Sequence, residues 1–269
     1  MAFGVGARIE PLARRSLRRI AGIAGIAGAD GDIVVAISSG RALGDLASRV
    51  RVGGARYLGN HGLETGTLAR FVRAERMRIG RESGYALHTA AVAVLAHSVA
   101  DALGRPSWLF LEEKGPSIAF HWRGAPDEDD AARKVERAVG AALAETNGTD
   151  AGPAFEPLHG RRILELRPAG AGGKGQAVAR LLAEVRPAGA IVLGDDRSDA
   201  EAFREVASAE TAGSVRAALA VAVHGGGETP REIEETADLV LASPREAARL
   251  LAILASELER ASRRDRTVP

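Results

Sequence analysis

The chain has 269 residues, of which 46 % are hydrophobic and 26 % charged, a composition typical of one large or two modest globular domains. Its 36 Lys and Arg residues nearly balance its 35 Asp and Glu residues, so the net charge of +1 does not indicate a nucleic-acid partner. Cysteine is absent, which excludes disulfides, thiol catalysis and cysteine-ligated zinc.

The N-terminal region superficially looks like a secretion signal. Four arginines between positions 14 and 19 precede a small apolar run at residues 20–29. Glycines dilute this run, and it leads directly into a strand pattern, which favours a helix followed by a glycine-rich loop. No stretch approaches the roughly 20 apolar residues of a membrane span. We therefore expect a cytoplasmic protein with no membrane partner.

Two outer regions alternate strand and helix patterns. Residues 33–37 (IVVAI) form a short β-branched run, typical of a strand buried on both faces of a parallel sheet. Residues 190–193, 219–223 and 239–241 show similar runs, with helical patterns between them. This alternation predicts a doubly wound parallel-sheet α/β core.

The middle of the chain has a different order. Helix, strand, strand, helix, strand and strand are predicted at residues 86–103, 108–111, 117–122, 128–146, 153–159 and 162–166. Neighbouring strands with short turns pair antiparallel, so the pattern predicts an α+β domain inserted into the α/β core. We assign residues 1–79 to the first part of the core, 80–168 to the inserted domain and 169–269 to the second part of the core.

Three polar clusters follow predicted core strands. They are Ser39 with Gly40, Lys174 in a glycine-rich loop, and the three aspartates Asp195, Asp196 and Asp199. A hydroxyl and amides at a helix start bind anions, an ammonium binds phosphate, and crowded carboxylates bind a divalent cation. Ordinary helix capping or turn formation explains each cluster separately. Because ligands of parallel sheets bind beyond the carboxyl ends of the strands, the three together favour a phosphate and metal site.

Four motifs carry a family resemblance. They are, in chain order, Ser39-Gly40-Arg41 with Asn60-His61-Gly62; the set Glu112, Lys114, Ser117, His121 and Arg123; the approach from Leu164 to Lys174; and Gly194-Asp195-Asp196-Arg197-Ser198-Asp199-Ala200. In this order they resemble the second motif, the cap signature, the third motif and the fourth motif of the trehalose-6-phosphate phosphatases. That family belongs to the haloacid dehalogenase superfamily, so the inserted domain would be its cap.

The resemblance implies a function and roles for these residues. The reaction would be hydrolysis of trehalose 6-phosphate to trehalose and phosphate, with Mg²⁺ as cofactor. Ser39, Gly40 and Lys174 would bind the phosphate. The sugar would be bound by Asn60, His61, Gly62, Glu112, Lys114, Ser117, His121 and Arg123. The metal ligands would be Asp195, Asp196 and Asp199.

The first motif of that family, Asp-x-Asp-Gly-Thr, is degenerate here. Its only place is residues 4–11, where Gly4 and Gly6 occupy the two aspartate positions and Arg8 the threonine position. Glycine can neither attack phosphorus nor transfer a proton, whereas Arg8 is a further candidate for phosphate binding. The acidic turn at residues 30–32 precedes its strand and so belongs to the opposite sheet edge. Ala200 also replaces a glutamate of the fourth motif.

Three functional hypotheses remain open. The chain is a trehalose-6-phosphate phosphatase impaired by Gly4 and Gly6, unless the true first motif lies upstream of Met1. Alternatively, it is a non-catalytic sugar-phosphate-binding or regulatory paralogue that pairs with a trehalose-phosphate synthase or an active relative. The third hypothesis is a phosphatase for another sugar phosphate, because fold does not determine substrate.

Overall fold

The computed structural model describes residues 9–24, 33–147, 154–160, 162–170, 173–225 and 231–265. The chain divides into a core unit, Met1–Gly80 with Gly173–Pro269, and an inserted unit, Arg81–Gly172. Several sequence-based assignments lie outside the described residues, namely Gly4, Gly6, Arg8 and the acidic turn at 30–32.

The first part of the core unit forms a four-stranded sheet in the order β1-β2-β3-β4. Its strands are β1 (Ala36–Ser38), β2 (Arg56–Gly59), β3 (Glu64–Thr67) and β4 (Gly80–Arg81). β1 and β2 are parallel, whereas β2 and β3 are antiparallel. β1 begins three residues later than its apolar run predicted, and Ala36 is exposed, so the expected burial of both faces is not seen there.

The helices of this part are amphipathic and bury one face. They are α1 (Pro11–Ala24) and α2 (Leu43–Val50), and the C-terminal α8 (Pro244–Asp265) packs along α1. Leu43, Leu46 and Val50 recur at the spacing of one helical face and are fully buried with Tyr57 of β2. The α2 N-terminus receives its cap from a distant residue, because buried Glu64 accepts the Leu43 amide at 2.7 Å.

The second part of the core unit is a parallel three-stranded sheet in the order β11-β10-β9. Its strands are β9 (Gly189–Gly194), β10 (Ala217–Val223) and β11 (Leu239–Leu241), and its helices are α5 (Lys174–Val185), α6 (Arg197–Thr211) and α7 (Arg231–Glu235). Phe203 and Ile233 are fully buried against β10. Parallel strands connected through helices confirm the predicted α/β class.

The inserted unit is an antiparallel sheet with two helices on one face. β5 (Phe110–Glu113), β6 (Ile118–His121), β7 (Phe155–Gly160) and β8 (Ile163–Pro168) lie in the order β5-β6-β8-β7, with α3 (Tyr85–Ala102) and α4 (Glu128–Asn147). Phe120, Leu164 and Phe155 pack against the helices. Because side chains alternate along strands, Phe110, Glu112 and Glu165 lie on the opposite face, here called the polar face. None of the helices among the described residues is long and apolar enough to cross a membrane.

Candidate functional site

Two loops of the core unit meet at the carboxyl ends of β1 and β2. Parallel neighbouring strands end at the same sheet edge, so residues 39–41 and 60–62 lie side by side. The His61 amide donates to the Ser39 carbonyl at 3.1 Å, and the Asn60 amide donates to the Arg41 carbonyl at 2.8 Å. The structure therefore brings the predicted phosphate-binding loop together with the predicted Asn60-His61-Gly62 segment.

The 60–62 loop has an uncommon backbone. Asn60, His61 and Gly62 all have positive φ, at 47°, 56° and 93°. Such φ values are uncommon outside glycine, and clusters of them occur at functional sites. The His61 ring covers Gly40 so closely that a Cβ there would lie 2.5 Å from its Nε2 atom, which explains why position 40 is glycine.

The same loop is fixed to helix α5. A Cβ on Gly62 would lie 2.5 Å from the Ala177 methyl group, and the Arg180 guanidinium donates to the Gly62 carbonyl at 3.0 Å. Lys174, the predicted third-motif lysine, is the first residue of α5. The loops after β1 and β2 are thus linked through α5 to the lysine at its N-terminus.

Lys174 is buried between two carboxylates. Its ammonium lies 2.7 Å from Asp199 and 3.2–3.3 Å from the two oxygens of Asp196. Burial opposes the charge, but the two facing carboxylates outweigh it and raise the pKa of Lys174 above its ordinary value. Burial also opposes the charge on Asp196, but Lys174 and the Ser198 hydroxyl hold the pKa of that carboxyl below its usual range.

The aspartates also cap helix α6. Asp196 is the N-cap and accepts the Asp199 amide at 3.1 Å, while Asp199 accepts the amides of Asp195 and Asp196 at 2.9 and 3.1 Å. This reciprocal arrangement is a capping box. Burial raises the pKa of Asp199 above its usual value, although Lys174 opposes that shift. The capping explanation and the binding explanation therefore apply to the same side chains.

The aspartate cluster has the donor chemistry that Mg²⁺ prefers. One carboxylate oxygen from each of Asp195, Asp196 and Asp199 lies within 4.8 Å of the other two, and Mg²⁺ favours hard oxygen ligands. Both Asp199 oxygens already accept hydrogen bonds, one from Lys174 and one from two backbone amides. Both Asp196 oxygens also accept hydrogen bonds from Lys174. The residues present fit a cation that shares the carboxylates of this cluster with Lys174.

Position 201 supplies an acid that sequence reasoning missed. Ala200 is fully buried, as expected for a residue without a charge. The next side chain, Glu201, lies against Gly173, immediately before Lys174. A carboxylate thus lies against the backbone immediately before Lys174, and it comes from the position after Ala200. The packing of α6 against α5, which no local pattern reveals, places it there.

The polar face of the inserted unit carries a second charged network. Lys114 pairs with Glu165 at 2.7 Å and lies 3.9 Å from Glu112, which contacts His121 at 3.0 Å. Three predicted sugar-binding residues are therefore brought together. Glu165 was not predicted as a site residue, although a lone charge between Leu164 and Leu166 in a strand is a usable signal.

Two other predicted residues are placed differently. Ser117 is 1 % exposed, and its hydroxyl has no hydrogen-bond partner among the described residues. Arg123 is exposed, and its guanidinium makes no ion pair within the described part of the chain. The structure does not bring Arg123 into the Glu112–Lys114–His121 network.

A sequence model of the trehalose-phosphatase family matches residues 27–232. The chain belongs to the trehalose-phosphatase family. The match includes the loops after β1 and β2, Lys174 and the aspartate cluster, and it leaves residues 4–11 outside.

Other trehalose-phosphatases are similar over parts of their length. A trehalose-phosphate phosphatase of Mycobacterium avium is 29 % identical over 231 residues, which are 84 % of this chain and 53 % of that protein. A bifunctional trehalose-6-phosphate synthase/phosphatase of Thermoproteus tenax is 40 % identical over 98 residues, 36 % of this chain and 12 % of that protein. The chain spans about half the length, or less, of these curated relatives.

Solved structures share the fold. The C-terminal domain of a Candida albicans trehalose-6-phosphate phosphatase superposes with a TM-score of 0.69 at 18 % identity, covering 95 % of this chain and 87 % of that chain. The architecture is that of the haloacid dehalogenase-like hydrolases, a mixed α/β core with a cap domain.

Proposed function

We propose that this trehalose-phosphatase family protein binds trehalose 6-phosphate or a related sugar phosphate and hydrolyses it little or not at all. The observation that carries the proposal is the buried Lys174 between Asp196 and Asp199, two aspartates that follow the carboxyl end of the parallel strand β9. A buried ammonium can donate hydrogen bonds to an anion when a divalent cation neutralises the carboxylates beside it. Glycine at positions 4 and 6 has no side chain that could attack phosphorus or transfer a proton.

The core unit supplies the phosphate and metal groups in this proposal. Lys174 offers its ammonium, and Ser39 and Gly40 offer a hydroxyl and amides at the start of the loop that leads into α2. Asp195 and Asp196 would hold Mg²⁺, which when bound neutralises phosphoryl charge. Asp199 keeps Lys174 and the α6 N-terminus in position through its hydrogen bonds.

The inserted unit supplies the sugar groups and serves as the cap domain. Carboxylates accept hydrogen bonds from sugar hydroxyls, and the Lys114 ammonium donates to them. Glu112, Lys114 and Glu165 lie within one network on the polar face and offer both kinds of group. Mixed donors and acceptors at short spacing suit a polyhydroxylated ligand better than a simple anion.

Weak catalysis follows from the residues at positions 4 and 6. Losing a positioned acid–base alone costs about 10²–10⁴ in rate, and the nucleophile is absent as well. The family match beginning at residue 27 is consistent with a divergent first motif. Arg8 occupies the threonine position of the first motif, and a guanidinium in that position of the motif would favour holding phosphate over transferring it.

Phosphate release from trehalose 6-phosphate in the presence of Mg²⁺ tests this proposal. We expect no release above background from the unmodified chain and partial activity from the double variant Gly4→Asp/Gly6→Asp. The matched control is Gly22→Asp, which adds a carboxylate at an uncrowded glycine of α1. Robust release by the unmodified chain would refute impairment. If the folded double variant stays inactive, our placement of the first motif at residues 4–11 is wrong.

A trehalose-phosphate synthase is the partner that the comparisons favour. The relative from Thermoproteus tenax is a bifunctional synthase and phosphatase. A protein that binds the sugar phosphate without hydrolysing it would act by delivering or sensing the product of such a synthase. Sedimentation of the purified chain with a trehalose-phosphate synthase, with and without trehalose 6-phosphate, tests this; no complex in either condition contradicts it.

A further inference from the structure

Phe110 lies on the polar face of the inserted unit, beside the charged network. In the β5–β6 register, Phe110 is opposite His121 and Glu112 is opposite Ala119. In the β6–β8 register, Ala119 is opposite Glu165. Side chains directly opposite one another point to the same face of a sheet. The aromatic ring therefore shares its face with both carboxylates of the network.

The exposure of Phe110 contrasts with the other phenylalanines of this unit. Phe120 and Phe155 are 0 % and 2 % exposed in the apolar core, whereas Phe110 is 64 % exposed. The ring is nevertheless oriented by its neighbours. Its centroid lies 5.6 Å from that of the His121 ring, and His121 is held by Glu112 at 3.0 Å. A flat apolar surface is thus presented at a defined place next to fixed polar groups.

This combination matches the chemistry of a pyranose. One face of a pyranose ring presents C–H groups, while its rim carries hydroxyls that donate and accept hydrogen bonds. An aromatic face attracts the C–H groups, and carboxylates with an ammonium pair with the rim. If all the charged side chains beside Phe110 had the same sign, this face would favour a ligand of the opposite charge instead. Here Lys114 balances part of the acidic charge.

We propose that the Phe110 ring stacks on a pyranose ring of the sugar phosphate and thereby contributes to recognition of its sugar part. This inference rests on the proposed function, because it identifies a sugar-binding residue for the same ligand. Phe110 would contribute contact with the sugar alone, and the phosphate groups of the core unit would not depend on it.

Calorimetry on the full chain separates these contributions. Phe110→Ala should weaken binding of trehalose 6-phosphate by about three- to tenfold, the size of one aromatic contact, and leave the affinity for inorganic phosphate unchanged. Phe110→Tyr keeps the flat ring and should retain the unmodified affinity. The matched control is Phe71→Ala, which removes a still more exposed ring from the core unit, where Phe71 is 104 % exposed.

Resonances of the phenylalanine rings give a second, independent readout. The chain has six phenylalanines, so selective labelling and comparison with Phe110→Tyr assign the Phe110 signals. Addition of trehalose without phosphate should shift the Phe110 signals and leave those of Phe71 in place.

Each outcome decides the inference. Unchanged affinity of Phe110→Ala for trehalose 6-phosphate, when the unmodified chain binds it, overturns stacking and leaves the proposed function standing. If the unmodified chain binds no trehalose 6-phosphate, the proposed function fails. In that case a trehalose-dependent shift of the Phe110 signals still supports stacking, and its absence overturns it.

Discussion

The core unit and the inserted unit each carry a lysine between two carboxylates, but they position these groups differently. In the core unit, backbone amides at the start of α6 hold the carboxylate of Asp199, which in turn holds Lys174. In the inserted unit, Lys114 and His121 contact Glu165 and Glu112 through side chains across a sheet. Main-chain hydrogen bonds fix the carboxylate in the first network, whereas side-chain contacts hold the second, and side-chain rotamers can adjust when a ligand hydroxyl offers a partner.

This difference suggests a division of work. A rigid cluster suits a small, symmetric group such as phosphate, for which the geometry is always the same. An adaptable face suits a sugar, which presents many hydroxyls in several orientations. If the comparison is correct, substitutions in the core cluster should cost more folding free energy than equivalent substitutions on the polar face.

The largest loss of folding stability is expected from Asp199→Ala. It leaves the Lys174 ammonium buried with Asp196 alone and removes half of the α6 capping box. The free energy of unfolding should fall by about 3–5 kcal/mol, as measured by urea denaturation. Asp101→Ala, which breaks an exposed ion pair with Arg105, is the control and should leave the midpoint unchanged. A loss below about 1 kcal/mol, the value of a surface pair, would contradict the rigid-cluster interpretation.

A smaller effect is expected from Lys114→Met on the polar face. Glu165 would stay buried without its ammonium partner, so the free energy of unfolding should fall by about 1–3 kcal/mol. The double variant Lys114→Met/Glu165→Leu should regain most of that loss, because removing both charges leaves no buried charge unpaired. A double variant that is no more stable than Lys114→Met in urea denaturation would show that Glu165 has a more important partner than Lys114.

The smallest loss of folding stability is expected from Asp196→Asn, and this loss should depend on pH. The amide keeps an oxygen for Ser198 and the Asp199 backbone, so the loss at neutral pH should be about 1–2 kcal/mol. Because the folded state lowers the pKa of Asp196, its contribution is present above the ordinary value of 3.8 and is lost as the pH falls below it. The stability difference between the two proteins should therefore stay constant from pH 7 to about 5 and shrink in stronger acid. A difference that persists unchanged at pH 3 would mean that the charge of Asp196 contributes nothing.

The sequence by itself determined the architecture and the positions of the chemical groups along the chain. Strand runs such as residues 190–193, followed by polar residues and a helix, depend on local periodicity, and the α/β class they predicted is confirmed. The helix-strand-strand pattern of the inserted unit is equally local. Ser39, Lys174 and Asp195 could be recognised as candidates because each follows a strand or opens a helix.

Only the tertiary structure decided which of these side chains meet. Glu165 reaches Lys114 across 51 residues because β6 lies between β5 and β8 in one particular register. Glu201 lies beside Gly173 through the packing of α6 on α5, and Arg123 lies outside the network that its spacing had suggested. Periodicity specifies the face of an element on which a residue lies, whereas strand register and helix packing depend on the whole core and determine the neighbour across that face.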